Sequence, residues 1–111
     1  MPRRLTPLGL DALNDALETE DVRALTKHFL ALLQGIAPGS SVEVRVPPYA
    51  AIQCIEGVRH TRGTPPAVVE MSGGTWLALA RGTRTWADAL AAGDVRASGE
   101  RADLSAFLPL G

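Results

Sequence analysis

The sequence predicts an α+β domain in which helices cover a mainly antiparallel sheet of about five strands. Two observations carry that prediction. Apolar residues recur at a helical period before Pro38 and at a period of two after it. The strand-like segments cluster in the middle of the chain while the helical ones gather on either side, unlike alternating βα units. At 111 residues there is room for one domain. Residues 1–18 read as an N-terminal extension or short helix, and residues 19–111 as the single domain.

Thr6-Pro7 can open a short helix that places Leu10, Leu13 and Leu17 on one face. A stronger helix is predicted over 20–34. Val22, Leu25 and Phe29 form its apolar stripe, with Leu32 and Leu33 three and four residues beyond Phe29. Thr19 suits its N-cap, Glu20 and Asp21 suit the positive end of the helix dipole, and Gly35 suits the stop. His28 falls on the polar side of this helix and is expected in solvent. Val42, Val44 and Val46 then alternate with Glu43 and Arg45 in a half-buried strand ended by Pro47-Pro48. Further strands are expected over 49–55, 58–62 and 67–71. Ser72 caps a helix that carries Trp76 and stops at Gly82, and Thr85 caps another that runs from Trp86 to a stop at Gly93. A last strand over 95–98 and a helical stretch over 101–108 complete the order.

The composition, 46% apolar and 21% charged, is that of an ordinary soluble globule. Eleven bases against twelve acids lack the basic excess of a dedicated nucleic-acid binder. The lone Cys54 excludes an internal disulfide and makes the cytoplasm the expected compartment. No export-signal core follows the early arginines, and no apolar run approaches the ~20 residues of a membrane span.

The chemistry-bearing residues are few. Cys54 and His60 could pair as nucleophile and base, but Cys54 sits in an apolar strand pattern where a thiol packs as a small hydrophobe. Ser72-Gly73-Gly74 could present amides to an anion or simply cap a helix. Arg59-His60-Thr61-Arg62-Gly63-Thr64 could grip an anionic head group or form a charged strand edge. Trp76 and Trp86 suit either a packed core or the lining of an apolar cavity. His28, His60 and Cys54 do not make up a metal site.

Leu77-Ala78-Leu79-Ala80-Arg81-Gly82, then Thr85-Trp86-Ala87-Asp88-Ala89, Gly93, Val95-Arg96-Ala97-Ser98-Gly99 and Asp103-Leu104 form one continuous pattern. It comprises a short helix, a Gly stop, a Thr-started helix, a second Gly, an alternating strand and a leucine-bearing terminal helix. This pattern resembles the sterol carrier protein type-two family. The segment from Val42 to Ala51, with Arg59 to Pro66, is similar to its small stand-alone actinobacterial members. The resemblance implies a five-stranded sheet with an apolar tunnel for fatty acyl chains or sterols, no catalytic residues and no cofactor. It also implies a carrier role or one accessory to fused enzymes; a similar domain forms the C-terminal part of mycothiol-dependent isomerases, where its role is structural. The chain departs from the family in ending Pro109-Leu110-Gly111 without a peroxisomal address, and Pro109 shortens the last helix.

On this reading a cavity lies between sheet and helices and takes an apolar small molecule, with neither nucleic acid nor membrane insertion involved. Ile52, Cys54, Trp76 and Ala80 are expected to line it together with Trp86 and Leu90. Leu104, Phe107 and Leu108 close it, and Arg59 or Arg62 stands at its mouth, both only if a bulge or turn at Gly63 brings them together. The alternative is an accessory or protein-interaction module with a filled core. A pocket of roughly 300 Å³ left empty costs up to about 7 kcal/mol, a large share of the about 5–15 kcal/mol that holds a domain together. The carrier reading therefore expects either a co-purifying ligand or a terminal helix that collapses inward.

Overall fold

The structure, a computed structural model, describes residues 4–57, 67–99 and 102–110. Two helices, α1 (Leu10–Thr19) and α2 (Val22–Ile36), precede the strands β1 (Val42–Val46), β2 (Ala50–Cys54) and β3 (Ala67–Met71). Helices α3 (Gly73–Arg81) and α4 (Trp86–Ala91), strand β4 (Val95–Ser98) and a 3-10 turn (Ser105–Phe107) follow.

The sheet among the described residues has four strands in the order β2-β1-β3-β4 and is mixed, not purely antiparallel. β1 pairs antiparallel with β2, and β3 with β4, but β1 and β3 run parallel. The β1–β2 hairpin, closed by the Tyr49 N–H donating to the Val46 carbonyl at 2.9 Å, returns the chain to the end where β1 began. β3 lies on the other side of β1 and runs in its direction. The strand expected over 58–62 lies outside the described residues.

Val42, Val44 and Val46 are fully buried, and their register places Val44 between Ile52 and Val69 on one face. The opposite face carries Glu43, Arg45, Glu70 and Arg96, with Glu43 and Arg45 ion-paired. This alternation makes one face of the sheet core and leaves the other to solvent.

α2 covers the core face through Leu25, Phe29, Leu30 and Leu33. It starts later than its acidic residues suggest, because Asp21 caps it by accepting the Ala24 N–H at 3.0 Å. Thr19 instead ends α1, and Glu20 takes a left-handed conformation (φ 54°) that separates the two helices. Gly35 lies inside α2, which runs on to Ile36. Beyond it, the loop closes tightly on β2. A Cβ on Gly39 (φ 146°) would lie 2.3 Å from the Ile55 carbonyl carbon, so no side chain fits there.

Buried tryptophans normally find a partner for their N–H. Trp76 of α3 is fully buried, and its indole N–H donates to the Thr26 carbonyl of α2 at 3.2 Å. The Thr26 hydroxyl beside it is buried and has no hydrogen-bond partner among the described residues.

Of the helical stretch expected over 101–108, residue 101 lies outside the described residues and the rest is reduced to the turn Ser105–Phe107. Asp103 accepts the Ser105 N–H at 2.8 Å, a local bond that competes with helix formation, and Pro109 bars propagation. His28 also departs from expectation: it is buried, not solvated. The reason lies upstream. Residues 4–9 run as a strap along α2, where the Leu8 N–H donates to His28 Nδ1 at 2.9 Å and the Leu5 N–H donates to Gln34 Oε1 at 3.2 Å. Leu5 and Leu8 pack against the core there.

Two predictions follow from these polar groups. Burial lowers the His28 pKa from 6.5, so the folded state holds its proton less tightly than the unfolded chain. Its contribution is therefore complete above about pH 6.5 and is lost as the pH falls from there toward the lowered value. Because an imidazolium cannot accept at Nδ1, the hydrogen-exchange protection of the Leu8 amide is expected to drop over that window, and His28→Gln should flatten the dependence. Thr26→Val removes an unpaired buried hydroxyl and should raise stability by about 1 kcal/mol in denaturant titrations; a loss would reveal a partner for that hydroxyl.

Candidate functional site

α3 begins where Ser72 Oγ accepts the Thr75 N–H at 3.2 Å, so the serine caps the helix. Gly73 is there for packing: a Cβ on it would come within 2.9 Å of the Tyr49 ring and 3.0 Å of Val22. α3 ends at Gly82, left-handed at φ 81°. Three residues on, Thr85 caps α4 by accepting the Asp88 N–H at 3.1 Å. The short Gly82-Thr83-Arg84 link turns the chain and places Arg84 and Trp86 beside the end of α3.

The C-terminal segment crosses this corner. Leu104 is fully buried, the Leu110 N–H donates to the Ala80 carbonyl at 2.8 Å, and Pro109 packs over Gly82. Between the segment and the helix corner lies a groove of about 330 Å³. Buried Leu79 and Trp86 form its floor, and Leu108 and Pro109 one wall. Exposed Thr85 and Ser105 and half-buried Arg84 complete its lining. One Arg84 nitrogen donates to Asp94 Oδ2 at 2.6 Å. Asp103 has its carboxyl held below the usual carboxylate range, first by the Ser105 hydroxyl and then by the Ser105 N–H.

The residues expected to form one cavity are divided by the structure. Trp86 and Leu108 meet in the groove, and Ala80 anchors the segment that bounds it. Trp76, Ile52, Cys54 and Leu104 lie in the packed core, and Phe107 rests half-buried against it. Leu90 is 40% exposed and borders a shallow depression on the solvent face of the sheet with Val68 and Arg96. Arg59 and Arg62, like His60, lie outside the described residues. Arg84 was not singled out by sequence reasoning. Its one signal was position, as the base between a Gly stop and a Thr cap, next to a tryptophan.

With this geometry in place, comparison with protein families gives a match over residues 18–110 to the family described as bacterial SCP ortholog. The chain belongs to that family. The resemblance to sterol carrier proteins drawn from its residues is thereby borne out, and the α+β architecture of this SCP ortholog accords with it. Comparison with curated proteins gives no match. No helix of the SCP ortholog, among the described residues, is long and apolar enough to cross a membrane.

Cys54 faces the core with no exposed surface, and burial pushes its thiol up to about 11. At neutral pH on the order of one molecule in ten thousand carries the thiolate, the species that does nucleophilic chemistry. The native protein should therefore resist alkylation at pH 7 and react only on unfolding. Cys54→Ala should cost on the order of 1 kcal/mol in stability, since it trims a packed side chain. Rapid labelling of the folded protein would contradict this burial.

Proposed function

We propose that this SCP ortholog is a non-catalytic, cytoplasmic carrier of an apolar, chain-bearing small molecule, which it holds in the groove between the α3–α4 corner and the C-terminal segment. The observation that carries the reading is the groove itself, lined by the apolar Leu79, Trp86, Leu108 and Pro109 with a few polar residues among them. That arrangement is how ligand sites are built: apolar contact supplies affinity and a few polar groups orient the ligand. Its volume of about 330 Å³ is at the lower end of ligand-pocket sizes, roughly 300–1,000 Å³. Family membership supports a carrier role and no chemistry of its own.

A second reading is favoured by a different observation. Trp76 and Leu104, both expected to border a tunnel, are fully buried in the core. A filled core suits an accessory module whose solvent-facing sheet surface, with Arg45, Glu70 and Arg96, meets a protein partner.

Ligand titration separates the two. Decanoate is expected to change tryptophan emission saturably, and Trp86→Phe should abolish most of that change. The same titration should raise Tm, by an amount corresponding to about 2.7 kcal/mol at a hundredfold excess over Kd. If decanoate, methyl decanoate and a sterol all leave emission and Tm unmoved, the carrier reading falls and the accessory module stands.

A further inference from the structure

We infer that the open face of the sheet is where two copies of this chain meet, about a two-fold axis that sets Glu70 of each copy against Arg96 of the other. This rests on the sheet surface invoked in the second reading above, whose partner it names, and it is independent of the groove. Three features carry it.

The first is the pattern of charge. The strand register aligns Arg45, Glu70 and Arg96 in one row across β1, β3 and β4, so the sign alternates from strand to strand. Arg45 is taken by Glu43, two residues away on its own strand. Glu70 and Arg96 stand directly opposite each other, yet among the described residues neither makes an ion pair. A carboxylate and a guanidinium side by side, both unpaired, form a self-complementary patch. A two-fold axis running along the strands between β3 and β4 lays each of them over the opposite charge of a second copy. A partner dominated by one charge calls for a patch of the other sign, and this patch carries both. With a net charge of −1, the chain has little overall repulsion against its own copy.

The second is the apolar surface around those charges. Val68 and Leu90, the latter 40% exposed, line one shallow depression of about 450 Å³ together with Glu70 and Arg96. Covering it removes apolar surface from water at the same place where the charges meet, which offsets part of their desolvation. The third is shape. Every strand residue on this side, from Ala51 to Ser98, is exposed or half-buried, and a twisted sheet face packs well on a second twisted sheet. Four strands of four or five residues make a small face. The interface therefore belongs with the weak, transient ones, below about 1,200 Å² in total.

Sedimentation velocity on the whole protein at low ionic strength is expected to show a monomer–dimer equilibrium that moves toward monomer as salt is added. Glu70→Arg and Arg96→Glu each create two like-charged contacts across the axis, and each should weaken the dimer by about tenfold or more. Mixed in equal amounts, the two variants face each other with opposite charges at both contacts, so the mixture should dimerise about as well as the wild type. Variant Tm values near that of the wild type check that the sheet is intact. A wild type that stays monomeric up to millimolar concentration overturns the dimer. So does a dimer that both substitutions leave unchanged, or a mixture that fails to recover it. A monomeric wild type leaves the face to a different protein, and the decanoate titration, which does not involve this face, decides the accessory reading on its own.

Discussion

The indole of Trp76, buried between α2 and α3 with its N–H on the Thr26 carbonyl, is the contact on which the α3–α4 corner and the groove beside it depend. α3 has nine residues and α4 six, lengths at which a helix in water is marginal on its own propensity. Burial of a large aromatic supplies what propensity does not. With α3 anchored to α2, the left-handed Gly82 and the Thr85 cap determine where α4 begins. That in turn brings Trp86 and Arg84 into the lining of one groove. The C-terminal segment then has a defined surface to cross, and Leu104, the Ala80 carbonyl and Gly82 hold it there.

α2 carries a second function in the fold through residues that look like ordinary solvated polar positions. His28 and Gln34 point to the strap of residues 4–9 and accept two of its backbone amides. Gln34 also donates to the Gln53 carbonyl of β2 at 3.3 Å, so one side chain links strap, helix and sheet. The apolar stripe of α2 faces the sheet while these polar groups tie down the chain that would otherwise lie loose upstream. Both sides of the helix are therefore in use.

On the proposed carrier reading, the packed core and the place for a ligand are kept apart. The core between sheet and helices is filled by Trp76, Leu30, Leu33, Ile52 and Leu104, which avoids the free-energy cost of an empty internal cavity in a domain of this size. The groove lies instead at the helix corner and is bounded by a segment with no regular helix. On the proposed reading, a ligand adds to that surface without any need to open the core.

Local patterns were legible in the sequence because their causes are local. The alternating valines of β1 predicted a one-sided strand, and Ser72, Gly82 and Thr85 marked helix ends that the structure reproduces, because caps and left-handed stops act within a turn of themselves. The buried, inert Cys54 followed from its apolar strand neighbours. What the tertiary structure decided has causes far apart in the chain. The parallel β1–β3 pair joins strands that are separated in the chain by β2 and the link beyond it. The burial of His28 depends on a strap twenty residues upstream. Leu90 and Trp86 stand four residues apart on one short helix, yet only Trp86 meets the C-terminal segment at the groove, because that segment crosses one side of the corner and not the other. Arg84 is a linker residue in sequence and a groove residue in space for the same reason: periodicity says which residues share a face, and only chain packing says what that face meets.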